Sequence, residues 1–187
     1  MLDSLDISLL RQINVNRLTS LDSIFIFITQ SGPIIAACIP LGFIIIGFLK
    51  KNKKMWMEGF MIATPYLLAV VTSNIIKTIV ARPRPFAEYS FIQKLSEGGS
   101  GSFPSGHTSD AFSIAMIISL FFPKRWIVIP IFAWAILVGY SRMDLGVHYP
   151  TDVIGGAIIG SVSAVFCNRM FRKYRNRDVN VVLSEAE

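Results

Sequence analysis

Five apolar runs dominate this chain and leave few folds open to it. They cover residues 24–49, 57–80, 111–122, 126–140 and 153–171. A helix needs ~20 apolar residues to cross a bilayer core, so the third and fourth runs are short for spans and the others are long enough. Hydrophobic residues make up 52% of the 187, charged residues only 16%, and mean hydropathy is clearly positive. A soluble domain of this length could not hide that much apolar surface. The expected fold is an all-α polytopic membrane bundle of five transmembrane helices. Gly32-Pro33 interrupts the first run, and a sixth span arises if the part before Pro33 crosses separately.

The opening residues, MLDSLDISLL, carry two Asp where a signal peptide would be basic, so no signal peptide is expected. Leu2, Leu5, Leu9 and Ile13 recur at helical spacing, which predicts a short amphipathic helix at the membrane interface. The expected organisation is an interfacial segment over 1–20, a transmembrane domain over 21–171 and a polar cytoplasmic tail over 172–187. Cys38 and Cys167 stand far apart in apolar runs and read as small core-filling hydrophobes.

A net charge of +6 would ordinarily suggest an acidic partner, but its distribution says more. Lys50, Lys51, Lys53 and Lys54, then Lys124 and Arg125, then Arg169, Arg172, Lys173, Arg175 and Arg177 all fall at one set of span ends. By the positive-inside rule that set is cytoplasmic. The C-terminus is then inside and, with five spans, the N-terminus outside. The basic tail suits anionic headgroups, so the expected partner of this charge is the membrane and not nucleic acid.

Three polar clusters gather at the opposite, outer ends. In the first, Lys77 and Arg84 are seven residues apart, two helical turns, so both can lie on one face, although Pro83 and Pro85 keep the helix from continuing far. Alone it could be a snorkelling lysine and a basic loop. In the second, PSGH (residues 104–107), Ser105 and Gly106 sit where a helix N-terminus would offer free N–H groups to an anion, though an ordinary Ser cap reads the same way. The third is SRMDLGVHYPTD (residues 141–152). Here His148 and Asp152 are one helical turn apart, and the carboxylate can hold one imidazole nitrogen while the other stays free. Together the clusters place both histidines, an Asp and three cations on one membrane face, a set suited to a phosphate dianion.

These residues resemble a known family. K-x6-R-P (Lys77, Arg84, Pro85), P-S-G-H (Pro104, Ser105, Gly106, His107) and S-R-x5-H-x3-D (Ser141, Arg142, His148, Asp152) are similar to the three-part signature of the type 2 phosphatidic acid phosphatases. The resemblance implies a phosphatase that needs no metal or other cofactor and works through a phosphohistidine. By position it makes His148 the nucleophile, Asp152 its orienting carboxylate and His107 the acid that later activates water. Lys77, Arg84, Arg142, Ser105 and the Gly106 N–H would hold the phosphoryl oxygens, with Ser141 in support. The substrate would be a lipid phosphate or pyrophosphate at the outer face of the cytoplasmic membrane. Candidates are undecaprenyl pyrophosphate, a lipid A phosphate, phosphatidylglycerol phosphate and phosphatidic acid, the first two favoured.

Two other functions fit the same residues. A lipid-to-lipid phosphotransferase would use this site with a second lipid in place of water. A non-enzymatic metal or ion site could use His107, His148, Asp152 and Asp110, although the neighbouring cations would repel a metal. Asp110, one turn beyond His107, could tune that histidine or pair with Arg82; Glu88 and Glu97 read as solvated loop residues.

Overall fold

A computed structural model describes the backbone of residues 2–184 and the side chains of 4–172. The described residues form helices α1 (Leu2–Val15), α2 (Asp22–Leu49), α3 (Lys53–Val80), the single-turn α4 (Pro85–Glu88), α5 (Gly106–Phe121), α6 (Arg125–Asp144) and α7 (Pro150–Ser184), with no strand among them. The first apolar run is one helix. α2 runs unbroken through Pro33 and Pro40, because a break at that depth would leave backbone groups without water to bond. The described residues therefore hold five long helices, and the stretch before Pro33 is no separate span.

The Thr19–Leu49, Lys53–Glu88, Arg125–Asp144 and Pro150–Arg172 stretches are long and apolar enough to cross a membrane. α5 has only 16 residues, about 24 Å at the helical rise. It packs against α2, α3, α6 and α7 at once, and so sits inside the bundle.

The interior mixes isoleucines, Ile62, Ile114 and Ile117 among them, with small residues. Ala36, Ala111, Ala115, Ala135 and Ala164 are fully buried, while Phe27, Phe48, Ile79, Ile158 and Phe166 face outward. Lipid gives helices no hydrophobic reason to associate, so close packing between small side chains has to do it. The tightest contact is α5 against α7. A Cβ at Gly156 would lie 2.4 Å from the Ser105 carbonyl oxygen, and one at Gly160 would lie 2.2 Å from that of Ser109. Cys167 is buried as expected, but Cys38 lies on the exposed face of α2 and fills no core.

α1 is the amphipathic helix expected, with its apolar face outward and its polar face on the bundle. Leu5 and Leu9 are exposed, and the face turned to the bundle carries buried Asp6, Leu10 and Asn14. Asn14 donates to the carbonyls of Gln93 (3.1 Å) and Asp144 (2.8 Å) and accepts from the Gln93 N–H (2.9 Å). α1 is thus bonded to the loop before α5 and to the end of α6. At the far end, α7 continues as a helix to Ser184, past the fifth apolar run. Residues 185–187 and the basic side chains expected of the tail beyond 172 lie outside the described residues.

Candidate active site

Because the long helices alternate in direction, the start of α5, the start of α7 and the ends of α3 and α6 meet at one end of the bundle. The Ser105 N–H donates to the Asp152 carbonyl (2.9 Å), joining the first turns of α5 and α7. α3 does not carry Lys77 and Arg84 on one face. It ends at Val80, Ala81 takes a left-handed conformation (φ 47), and Arg84 sits in extended backbone before α4. Pro83 and Pro85 forbid a continuing helix. Arg84 instead folds back over the site, donating through Nε to the Gly99 and Ser100 carbonyls (both 3.1 Å) and through Nη1 to that of Val147 (2.9 Å).

The centre is His148, 2% exposed, beside fully buried Asp152. Its Nδ1 lies 3.3 Å from Asp152 Oδ2, and its Nε2 lies 3.3 Å from Arg84 Nη1. A guanidinium only donates, so Nε2 accepts, the ring proton sits on Nδ1, and the Nε2 lone pair faces the cations. Asp152 Oδ2 also accepts from the Ser102 hydroxyl and the Tyr149 N–H (2.9 Å), and Oδ1 from Arg82 Nη1 (2.9 Å). Burial, joined by the charges of Arg142 and Arg84 and opposed by Asp152, pushes the His148 imidazole down to about 4.

The ring is therefore neutral across the physiological range, with the Nε2 lone pair available, and takes up a proton only in acid. With the substrate's own phosphate ionisation divided out, the acid limb of kcat/KM is expected nearer pH 4 than 6.5. A limb at or above 6.5 would contradict this environment for His148.

His107 occupies the first turn of α5, within electrostatic reach of Arg142, His148, Lys77 and Arg84. Lys77, in the last turn of α3, feels Arg84, Arg142, Asp152 and Asp110. Arg142 is held through Nη1 by Thr29 (2.6 Å) and Ser96 (3.3 Å) and through Nη2 by the Glu97 carbonyl (3.2 Å). Its Nε is buried without a hydrogen-bond partner among the described residues. Such a donor suits an anion entering the site. An open cleft of about 490 Å³ is lined by Lys77, Arg82, Arg84, Phe86 and Gly101 among others, so two of the expected phosphate-binding cations border it.

The serines behave differently from one another. Ser105 caps no helix N–H, its hydroxyl lying 2.8 Å from that of Thr108, which sets the ordinary-cap reading aside. The Ser141 hydroxyl donates to the Val138 carbonyl (2.7 Å) and is turned into its own helix. Arg82 forms salt bridges with Asp6 and Asp152, and Glu88 accepts from the Tyr149 hydroxyl (3.0 Å). Asp6, Arg82, Ser102, Thr29 and Thr151 all support the site and were not among the residues expected there. Arg82, in R-P-R-P, had a local signal; Asp6 had none, its partners Arg82 and Thr151 being 76 and 145 residues away. Among the described residues no three His, Cys, Asp or Glu side chains converge to hold a metal.

Residues 58–176 match the family model described as the PAP2 superfamily, a stretch that takes in every motif residue from Lys77 to Asp152. The chain belongs to the PAP2 superfamily. PAP2 relatives include undecaprenyl-diphosphatase BcrC of Bacillus subtilis, 30% identical over 142 residues, 76% of this chain and 70% of that protein. A lipid A 4'-phosphatase of Bacteroides thetaiotaomicron is 37% identical over 94 residues, 47% of this chain and 42% of its own length. Among solved PAP2 structures, LpxE of Aquifex aeolicus superposes with a TM-score of 0.71 at 31% identity, covering 88% of this chain and 95% of that one. A transmembrane phosphatidylglycerolphosphate phosphatase of Bacillus subtilis gives 0.70 at 27% identity over 92% and 87%. This PAP2 chain is a membrane phosphatase, a hydrolase of phosphoric ester or anhydride bonds.

Proposed function

We propose that this protein removes a phosphate from a lipid phosphate or pyrophosphate at the outer face of the cytoplasmic membrane, through a phosphohistidine on His148 and without a metal. The observation that carries this reading is His148 itself, held by Asp152 on one side with its Nε2 lone pair directed at Arg84 on the other. Lys77, Arg84, Arg142 and the Gly106 N–H bind the phosphoryl oxygens, with Ser105 beside them. Ser141 can join them only by releasing the Val138 carbonyl.

Nε2 forms a bond to phosphorus as the bond to the leaving lipid oxygen breaks, and His107 gives that oxygen its proton. Asp152 stabilises the positive imidazole. Water then attacks phosphorus, His107 takes its proton, and the N–P bond breaks to free His148 and phosphate. Such catalysis rests on positioning and on charge already in place. The outer placement is supported by the basic ends Lys50–Lys54, Lys124 and Arg125, which lie at the opposite end of the bundle from the site. The names of the relatives favour undecaprenyl pyrophosphate first and a lipid A phosphate second.

The test is phosphate release by purified protein in detergent from undecaprenyl pyrophosphate, lipid A, phosphatidylglycerol phosphate and phosphatidic acid. At least one is expected to turn over with its rate unchanged by excess chelator and inhibited by vanadate. Release from none of them would defeat the proposal. Label transferred from donor to a second lipid would make the protein a phosphotransferase.

A further inference from the structure

We infer that Asp6 of α1 is a positioning residue for the His148–Asp152 pair, acting through Arg82 and Thr151. The inference rests on the role proposed for Asp152. It concerns a residue outside the stretch that matches the PAP2 family model.

Asp6 is 3% exposed, though it lies in a helix whose outer face is apolar. A buried carboxylate must be fully partnered to be tolerated, and all its partners here belong to the site. Oδ1 accepts from the Thr151 N–H (2.9 Å), and Oδ2 accepts from the Thr151 hydroxyl and from Arg82 Nη2 (2.8 Å). The other end of the same guanidinium, Nη1, donates to Thr151 Oγ1 (2.7 Å) and to Asp152 Oδ1 (2.9 Å). Arg82 thus bridges two carboxylates, one from α1 and one from α7. Its guanidinium carbon also sits 3.9 Å from the centre of the Tyr149 ring.

This geometry does two things. It fixes Thr151, the residue before Asp152, and so sets the first turn of α7 from which the carboxylate reaches His148. It also divides one positive charge between two negative ones. With Asp6 neutral, Arg82 would spend its whole charge on Asp152 and leave that carboxylate less able to stabilise the imidazolium formed during attack. The loss falls on the chemical step, since Lys77, Arg84 and Arg142 still hold the phosphate.

The variants are Asp6→Asn, which keeps the shape and removes the charge, and Asp6→Ser, which leaves room for water. Each is measured for kcat, KM and thermal unfolding in detergent, on the lipid the wild type turns over fastest. Loss of a supporting partner at metal sites costs roughly 10- to 100-fold. A kcat loss of about that size is expected, with KM within about twofold and unfolding within a few degrees of wild type. In an Arg82→Gln background, Asp6→Asn is expected to cost clearly less than it does in the wild type, because the path through Arg82 is already cut and only the direct bonds to Thr151 remain. Full kcat in both variants would overturn the inference, and so would additive losses in the double variant or losses that track unfolding. If Asp152→Asn kept its turnover, the failure would lie instead with the role assigned to Asp152.

Discussion

Replacing His148 by alanine is expected to lower turnover by at least about 10³-fold while leaving the lipid bound, because removal of a covalent nucleophile usually costs that much or more. The structure says why the loss should be chemical and not a loss of fold. His148 contributes two side-chain contacts at 3.3 Å, to Asp152 and to Arg84. Both partners keep others: Asp152 retains the Tyr149 N–H, Ser102 and Arg82, and Arg84 retains the carbonyls of Val147, Gly99 and Ser100. Arg142, Lys77 and the start of α5 are untouched by the change. Binding of the labelled lipid should then stay within about tenfold of wild type, the value of one lost interaction near 1.4 kcal/mol. Retention of more than a few per cent of turnover would remove His148 from the nucleophile's role.

The second large effect concerns assembly. Gly160→Ala is expected to destabilise the protein by about 1–3 kcal/mol or more, the usual cost of overpacking a filled interior. The added Cβ would stand 2.2 Å from the Ser109 carbonyl oxygen and 2.8 Å from the Ser113 nitrogen, both backbone atoms of α5 that no side-chain rotation can move. α5 and α7 must separate. Their separation strains the Ser105–Asp152 hydrogen bond at the site, so activity should fall along with stability. Gly42→Ala is the control, since nothing lies within 4 Å of its added Cβ, and removing a helical glycine is mildly favourable. Thermal unfolding in detergent should separate the two variants clearly. Equal melting would mean that the α5–α7 contact is looser than described.

The contrast between His148 and Asp6 shows what could be read from the sequence. His148 and Asp152 are four residues apart, so helix geometry alone brings them together, and Pro150 marks where that helix starts. The apolar runs likewise announced the five bundle helices and the shortness of α5, though not its place among the other four. Asp6 and Thr151 are 145 residues apart. No local pattern joins an N-terminal amphipathic stretch to the start of the last helix, and a buried carboxylate there looks like an ordinary polar face. Pro83 and Pro85 signalled that the helix of Lys77 would stop near Arg84, whereas the left-handed turn at Ala81 that brings Arg84 back over the site had no such signal. Pro33 looked like a break, yet an apolar surrounding holds α2 together across it.

Whether phosphorus becomes bonded to His148 decides the proposed mechanism most directly. Wild-type protein mixed with phosphorus-labelled lipid substrate in detergent, quenched within one turnover in alkali and digested, should yield a base-stable, acid-labile label on the peptide bearing His148. Label confined to another residue, or none while phosphate is released at the full rate, would contradict it.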